Sequence, residues 1–333
     1  MHYNISHSFA VGLPVRGDDF VDRTKVLSAV NDLFSVRTGN ILVTGERLAG
    51  KTSLCLKLLD ILTEVGGLLG AYMSMDASFD KPDRFTQAVL LHVIRCMAAK
   101  LFDKSYSDLL LDLAKPKVVA SEYRHLLRLF ELVRRGSGTV GQSTQKEIGA
   151  SAIAQARFSE TERREVSIGE LSSFENLLLL DEVVTLLQRH RFDRFVLFVD
   201  EANKLTLEAN ASIVRDNLAL FSSKGMQFVF VTTPEVVVAA SSFTELFQRR
   251  IEIGPFDSVD NLRTLIQHHC RVNGRSSEAD EVYSPEALEA IWRISKGFPF
   301  RIQSLCQKSL ERTLKDERAL VTLSDVLDVI GDP

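Results

Sequence analysis

Eight consecutive residues, from Gly45 to Thr52, have the spacing G-x-x-x-x-G-K-T. They follow the apolar run Ile41-Leu42-Val43 and precede a segment with the apolar spacing of a helix, which is the strand–loop–helix setting that this spacing requires. Glycines let a backbone wrap closely around phosphate, and the amides at a helix start point toward negative charge. The alternative is a glycine-bounded turn before an ordinary helix, and the setting favours a phosphate-binding loop over it.

The side chains of this loop predict a nucleotide and a metal ion. Lys51 would contact the β- and γ-phosphates, and the Thr52 hydroxyl would be a ligand of Mg²⁺. We therefore expect ATP and Mg²⁺ as cofactors. The loop residues expected to bind the nucleotide are Gly45, Glu46, Arg47, Leu48, Ala49, Gly50, Lys51, Thr52 and Ser53.

Two acidic residues close an apolar run far downstream. Residues 195–199 read Phe-Val-Leu-Phe-Val, as expected of a parallel strand buried on both faces, and Asp200 and Glu201 follow them. Carboxylates at the end of a buried strand are costly unless they meet water or a metal, and open α/β sheets bind ligands at that end. Asp200 is the candidate Mg²⁺ ligand through its water shell, and Glu201 is the candidate that orients the attacking water. The alternative is a strand that ends in a charged turn.

Composition limits the class of protein. With 333 residues, 45% hydrophobic and 25% charged, the chain is long enough for one large domain and a smaller one. A net charge of −4 argues against a protein that coats nucleic acid by charge alone, but it does not exclude a local basic patch. The chain has no C-x-x-C pair, no signal pattern and no continuous apolar run of about 18 residues. We therefore expect a cytoplasmic protein without a disulfide framework, a zinc site or a membrane span.

Hydrophobic periodicity predicts alternating strands and helices. Strands are expected at about 40–44, 69–75, 195–199, 228–231 and 251–253. Helices are expected at about 22–37, 51–64, 82–102, 105–114, 119–135, 172–190, 207–223, 258–272, 284–295, 299–315 and 323–330. This alternation implies a parallel sheet with right-handed crossovers, and the last four helices suggest a separate all-α domain.

The segment between Gly136 and Gly169 interrupts this pattern. Large apolar residues thin out there, and Ser, Thr, Gln, Glu and Arg dominate. The segment could be a disordered insertion or a protruding hairpin with weak alternation of apolar residues. We favour a flexible hairpin-like protrusion, because the break is too long for an ordinary loop inside a compact domain. Its basic residues are interleaved with glutamates, so we do not expect it to contact DNA.

The motifs and their order resemble the AAA+ ATPases over about residues 16–330. The resemblance is to the branch shared by origin-recognition-type initiators, transposition-regulator ATPases and the STAND-like ATPases of microbes. It implies a P-loop NTPase αβα sandwich with a parallel five-stranded sheet in the order 5-1-4-3-2 and a small all-α lid domain. The implied domains are an N-terminal arm at 1–19, a nucleotide-binding domain at 20–256 with an insertion at about 136–170, and a lid at 257–333.

The resemblance also implies roles for individual residues. Gly45 to Thr52 matches the Walker A motif and Phe195 to Glu201 the Walker B motif, so catalysis is expected from Lys51 and Glu201, and metal binding from Thr52 and Asp200. The segment Phe20-Val21-Asp22-Arg23 resembles one that packs beside the adenine, which makes Phe20, Val21 and Arg23 candidate nucleotide contacts.

Further roles follow from the positions of polar residues in relatives. Thr232 or Thr233 lies where the family places its sensor 1 residue. The segment Gly297-Phe298-Pro299-Phe300-Arg301 resembles the G-x-P segment of sensor 2, which makes Pro299 a candidate nucleotide contact and Arg301 the candidate lid arginine for the γ-phosphate.

Some positions depart from the family pattern or leave alternatives open. Leu48 stands where many relatives carry another glycine. Arg249 or Arg250 lies where relatives place an arginine finger that completes a neighbouring subunit's site, but both could instead be surface residues in ion pairs. Arg301 could likewise have a structural role in the lid.

Three functions are compatible with these features. The first, which we favour, is an ATP-driven switch that forms homo-oligomers in the ATP state and recruits a protein partner, for instance in microbial defence or signalling. The second is a DNA-associated ATPase of replication or transposition that assembles on duplex DNA, for which salt-dependent, DNA-stimulated turnover would be diagnostic. The third is a nucleotide-binding scaffold without hydrolysis, which the intact Glu201 disfavours.

Overall fold

The fold is described from a computed structural model of the chain. The structure describes residues 39–64, 67–75, 82–114, 120–135, 173–202, 218, 220–239, 245, 247–272 and 279–331. The expected N-terminal arm, the adenine segment with Phe20, Val21 and Arg23, the helix at 22–37 and the insertion at about 136–170 lie outside these residues.

Five strands form one parallel sheet. They are β1 (Ile41–Thr44), β2 (Leu68–Ser74), β3 (Arg194–Asp200), β4 (Met226–Thr232) and β5 (Arg249–Glu252). Their order is β2-β3-β4-β1-β5, which is the predicted order 5-1-4-3-2 read from the opposite edge. The α/β class and the sheet order are therefore confirmed, and each strand begins and ends within two residues of its predicted bounds.

Burial explains why the inner strands are continuous apolar runs. Every residue of β4 is buried, and so is every residue of β3 after the first, as expected for strands covered on both faces. β2, at one edge of the sheet, alternates buried and half-buried residues from Leu69 onward. β5, at the other edge, begins with two exposed arginines, and charge on an edge strand disfavours pairing with a further strand.

The described helices follow the predicted pattern. They are α1 (Lys51–Glu64), α2 (Pro82–Phe102), α3 (Tyr106–Ala114), α4 (Ser121–Arg135), α5 (Ser173–Arg189), α6 (Pro234–Ala239), α7 (Val259–Val272), α8 (Ala279–Val282), α9 (Pro285–Ser295), α10 (Pro299–Lys315) and α11 (Leu323–Gly331). The helix expected at 207–223 lies mostly outside the described residues. The short helices α6 and α8 were not predicted, because four to six residues are too few to show a helical period.

The chain divides into two compact units. The phosphate-loop unit comprises Val43–Asp60 and Ile251–Pro333. The sheet unit comprises Thr38–Leu42 and Ile61–Arg250. The predicted domain boundary at 256/257 remains a prediction.

The sheet unit is built on an aromatic and aliphatic core. Phe85 of α2 lies edge-on to Phe221, with ring centroids 6.4 Å apart, and 6.3 Å from the ring of Phe228 on β4. The window Phe85–Phe102 has a mean hydropathy of 1.3 and is long and apolar enough to cross a membrane by length and composition. However, 61% of it is buried inside the protein, where α2 packs on β2, α4 and α5. This helix is a core helix by its contacts, and its composition is weak support for a membrane span.

The phosphate-loop unit has a second apolar core, formed by its C-terminal helices. Leu262 of α7, Ile291 of α9 and Ile302 of α10 are fully buried in it. A side chain caps the start of one of these helices. The Ser284 hydroxyl accepts a hydrogen bond from the Ala287 N–H at the start of α9, which caps that helix.

Candidate functional site

The loop between β1 and α1 surrounds the amine of its own lysine. The Lys51 Nζ donates hydrogen bonds to the carbonyl oxygens of Gly45, at 2.6 Å, and Glu46, at 2.7 Å. The Ala49 N–H donates to the Glu46 carbonyl at 3.3 Å, which closes the turn. The lysine amine therefore lies inside the loop, next to the first turn of α1, and the backbone N–H groups at a helix start favour an anion.

Two residues of this loop have left-handed backbone conformations. Gly50 has a φ of 86°, which suits glycine because it has no Cβ, whereas Leu48 adopts a φ of 67° with a full side chain. Leu48 is 49% exposed, so its side chain gains little burial in return. The conformation gives a physical reason for a glycine at the Leu48 position in relatives.

Gly45 is required for a different reason, a close approach of two backbone segments. A Cβ at Gly45 would lie 2.4 Å from the carbonyl oxygen of Ile253, which follows β5. The Ile253 N–H donates to the Thr44 carbonyl at 2.7 Å and holds the two segments at this separation. The first glycine of the motif therefore leaves room for the neighbouring chain.

The remaining predicted loop residues differ in their exposure. Arg47 and Glu46 are exposed, Ala49 is buried, and Thr52 and Ser53 are half-buried in the first turn of α1. The Leu54 N–H donates to the Gly50 carbonyl at 3.0 Å, so helical hydrogen bonding begins directly behind the loop.

Both acidic residues are hydrogen-bonded at the end of β3. Asp200 is only 5% exposed, and its Oδ1 accepts from the Glu201 N–H at 2.7 Å while its Oδ2 accepts from the Tyr72 hydroxyl at 2.7 Å. The Ser74 hydroxyl donates to Oε2 of Glu201 at 2.5 Å. Glu201 itself has a φ of 56°, in the left-handed region that non-glycine residues seldom adopt. The pair is held in a defined orientation instead of ending in a free turn.

The sequence did not identify Tyr72 and Ser74 as members of this site. The signal available was a pair of hydroxyl side chains two residues apart near the end of a predicted strand, which places both on one face of the sheet. Without the pairing of β2 with β3, nothing in the sequence connects that face to the acidic pair.

The two sensor 1 candidates differ in their surroundings. Thr232 ends β4, is 1% exposed, and its hydroxyl oxygen has no hydrogen-bond partner within the part of the chain that the structure describes. The carbonyl of Thr233 accepts from the Val236 N–H at the start of α6. A buried hydroxyl without a partner is unusual, so Thr232 is the stronger candidate to contact a ligand or a water molecule.

The candidate arginines are exposed. Arg249 and Arg250 begin β5, at an edge of the sheet. Arg301 lies in the first turn of α10, two residues after Pro299, and its guanidinium carbon is 5.4 Å from the ring centroid of Phe298. Each of these guanidinium groups is therefore accessible to a ligand or to another molecule.

The donor atoms in each unit are of the kind that Mg²⁺ prefers. The carboxylates of Asp200 and Glu201 in the sheet unit are hard oxygen donors, and so is the hydroxyl of Thr52 in the phosphate-loop unit. Among the described residues, no group of three or more His, Cys, Asp or Glu side chains could hold a metal by itself. At nucleotide sites Mg²⁺ binds mostly through phosphate and water with one or two carboxylates.

Comparison with known proteins places this geometry in a family. Residues 36–237, more than half of the chain, match the AAA domain family. No protein of curated function matches the chain. One similar solved structure is the ORC1 protein of Aeropyrum pernix in complex with DNA, at 13% identity and a TM-score of 0.52, covering 95% of this chain and 66% of that one. Another is the RuvB Holliday junction branch migration motor of Thermotoga maritima, at 14% identity and a TM-score of 0.46. That match covers 96% of this chain and 72% of the RuvB chain.

These comparisons differ in what they establish. The chain spans just under two thirds of the ORC1 chain, and at 13% identity that likeness shows the fold alone. A TM-score below 0.5, as with RuvB, does not establish a shared fold. The family match is the stronger finding because it includes the phosphate loop, the acidic pair and the whole of β1 to β4. The chain therefore belongs to the AAA domain family of P-loop ATPases.

Proposed function

We propose that this protein is an ATP-hydrolysing switch of the STAND-like type, in which the bound nucleotide controls oligomerisation and the recruitment of a protein partner. One observation carries the proposal: a glutamate, Glu201, follows the buried Asp200 at the end of β3 and is held there by a hydrogen bond from Ser74. A scaffold that only bound nucleotide would not need this second carboxylate.

The phosphate-loop residues would supply the binding energy for the nucleotide. Lys51 would exchange the carbonyl oxygens of Gly45 and Glu46 for the β- and γ-phosphate oxygens, and an ion pair with phosphate is the stronger interaction. The N–H groups of the loop and of the first turn of α1 would contact the same anion. Thr52 and Asp200 would hold Mg²⁺, Asp200 through water.

Hydrolysis would depend on residues of the sheet unit. Glu201 would orient the attacking water and take up its proton, and Thr232 would donate or accept a hydrogen bond at the reacting end of the nucleotide. When bound, Mg²⁺ would offset the negative charge that develops on the transferred phosphoryl group. Lys51 would stabilise the same charge from the phosphate loop.

The switch itself would depend on the exposed arginines. A ligand shifts an equilibrium between two states only by the difference in its affinity for them. Arg301 from the same chain, and Arg249 or Arg250 from a neighbouring subunit, would bind the γ-phosphate and lose that contact after hydrolysis. Their exposure supports this proposal, because a guanidinium that completes another subunit's site must reach the surface.

A second candidate is an ATPase that assembles on duplex DNA. The observation in its favour is the fold likeness to an ORC1 protein that was solved in complex with DNA. The net charge of −4 counts against binding by charge alone, so a local basic surface would have to supply the contacts.

The catalytic assignment is tested by replacing Glu201 with glutamine. Glu201→Gln should bind ATP with near-normal affinity and hydrolyse it at least about 100-fold more slowly, the effect typical of losing a general base. The matched control is Glu182→Gln, which removes the same charge from an exposed position on α5 and should leave turnover unchanged. Normal turnover by purified Glu201→Gln would overturn the assignment.

The switch and the DNA candidate are separated by the mass distribution of Glu201→Gln. The protein is measured with and without ATP·Mg²⁺, each in the presence and absence of duplex DNA. Assembly with ATP·Mg²⁺ alone supports the protein-recruiting switch, and assembly only when DNA is present supports the second candidate. A monomer under every condition contradicts the proposed role of Arg249 or Arg250 in a neighbouring site.

A further inference from the structure

One face of β2 carries two hydroxyl side chains beside the acidic pair. Residues in a strand point alternately to opposite faces, so Tyr72 and Ser74 share a face, whereas Ala71 and Met73 are buried on the other. The register pairs Ser74 with Asp200 directly and Tyr72 with a residue two positions earlier on β3. Tyr72 therefore reaches Asp200 along the sheet, a distance of about 7 Å that a long side chain can span.

The hydrogen bonds fix the plane of the Asp200 carboxylate. Its two oxygens accept from different donors, Oδ2 from the Tyr72 hydroxyl and Oδ1 from the Glu201 N–H, both at 2.7 Å. One donor comes from β2 and the other from the backbone after β3, so the carboxylate cannot rotate without losing one of them. A buried carboxylate depends on such charge-assisted bonds, and Asp200 is 5% exposed.

The two bonds are compatible with a role for Asp200 at a metal site. A carboxylate oxygen has two lone-pair sites, so accepting a hydrogen bond from Tyr72 or from the Glu201 N–H does not by itself prevent Asp200 from accepting one from metal-bound water. Groups that orient a metal's carboxylate in this way set its affinity, and their loss commonly weakens metal binding by about 10–100-fold.

We propose that Tyr72 is a positioning residue for Mg²⁺ binding. It favours this binding by holding Asp200 in the orientation that accepts a hydrogen bond from metal-bound water. The inference rests on the proposed nucleotide-binding function and goes beyond it by assigning a role to a side chain of β2. Tyr72 touches Asp200 and acts through it.

The test measures how much Mg²⁺ strengthens nucleotide binding. The affinity for a non-hydrolysable ATP analogue is determined by calorimetry with EDTA and across a titration of Mg²⁺, for the wild type and for Tyr72→Phe. We expect Tyr72→Phe to reduce the gain from Mg²⁺ by about 10-fold, the lower end of the usual range because the Glu201 N–H still holds Asp200. Affinity in EDTA should stay unchanged, and a merely structural defect would lower it.

The chain offers a matched control. The Tyr123 hydroxyl donates to Oδ2 of Asp112 at 2.7 Å, the same kind of bond at the same length among the helices of the sheet unit. Tyr123→Phe should therefore lose a comparable bond, with a comparable change in melting temperature, and keep the full gain from Mg²⁺. In an Asp200→Asn background, Tyr72→Phe should have no further effect on that gain, because the residue through which it acts has changed.

The outcomes separate this inference from the proposed function. A full gain from Mg²⁺ in folded Tyr72→Phe overturns the role of Tyr72 and leaves the proposed function intact. If Tyr72→Phe reduces the gain from Mg²⁺ in the Asp200→Asn background by the same factor as in the wild type, the role of Tyr72 is also overturned, because its effect would then not pass through Asp200. Failure of the wild type to bind the analogue under any condition overturns the proposed function and this inference with it.

Discussion

Replacement of Gly45 by alanine tests the finding that the first glycine of the motif is required by a close backbone approach. The added Cβ would lie 2.4 Å from the Ile253 carbonyl oxygen, whereas ordinary contact at such a position begins near 3.4 Å. The two atoms must therefore separate by about 1 Å. The obstacle is a backbone oxygen, which cannot rotate away as a flexible side chain would.

The expected cost follows from what that movement disturbs. The Ile253 N–H is bonded to the Thr44 carbonyl at 2.7 Å, and a shift of about 1 Å would take this pair beyond hydrogen-bonding distance. The lost bond costs about 1 kcal/mol and the overpacking about 1–3 kcal/mol, so Gly45→Ala should destabilise the protein by about 2–4 kcal/mol. ATP affinity should fall as well, because the same displacement would move the first residue of the phosphate-binding loop.

Gly254→Ala is the control for this measurement. It makes the same chemical change one residue after Ile253, and its Cβ would have no heavy atom within 4 Å. Thermal unfolding of the two variants should therefore differ by several degrees, with Gly254→Ala within about 0.5 kcal/mol of the wild type. If Gly45→Ala unfolds at the same temperature as Gly254→Ala and binds ATP normally, the close approach does not constrain this position and the reasoning is refuted.

Two further predictions concern stability alone. Leu48→Gly should stabilise the protein by about 0.5–1 kcal/mol in denaturant unfolding. A left-handed residue with a Cβ costs about 1–2 kcal/mol, and part of this gain is cancelled because glycine loses more backbone entropy on folding. A lower stability of Leu48→Gly would contradict the prediction. Asp325→Asn should lower the free energy of unfolding at neutral pH by an amount on the order of 1 kcal/mol. The buried Asp325 carboxylate accepts hydrogen bonds from Arg318 and from the N–H and hydroxyl of Thr322 at the start of α11. Burial raises the pKa of Asp325, but these bonds outweigh it and hold the pKa below the ordinary 3.8, so the stabilisation is present above pH 3.8 and is lost as the pH falls through the folded-state pKa. The difference between wild type and Asp325→Asn should thus shrink in acid, and a difference that stays constant down to about pH 3 would show that the charge of Asp325 is not responsible.

The parts of the fold that the sequence predicted are those governed by local pattern. A helix that begins at Lys51 follows from apolar spacing behind a glycine loop, and α2 and α10 have the bounds that their periodicity indicates. The strand order could be stated because the motifs resemble a family, and the sheet confirms it. The phosphate loop and the acidic pair were predicted from their own residues, because each is a contiguous run whose chemistry can be read without knowing the pairing of strands.

The features that escaped prediction depend on which strands are neighbours and in what register. Tyr72 and Ser74 are 128 and 127 residues away from the carboxylates that they contact, and a shift of β2 by one residue would turn both hydroxyls to the opposite face. The requirement for glycine at Gly45 likewise comes from Ile253, more than 200 residues later, and not from a backbone angle. A motif therefore specifies which groups meet the ligand, while the register of distant segments decides how firmly those groups are held. For the acidic pair, β2 determines how firmly the carboxylates are held, and the affinity for Mg²⁺ should depend on how firmly they are held.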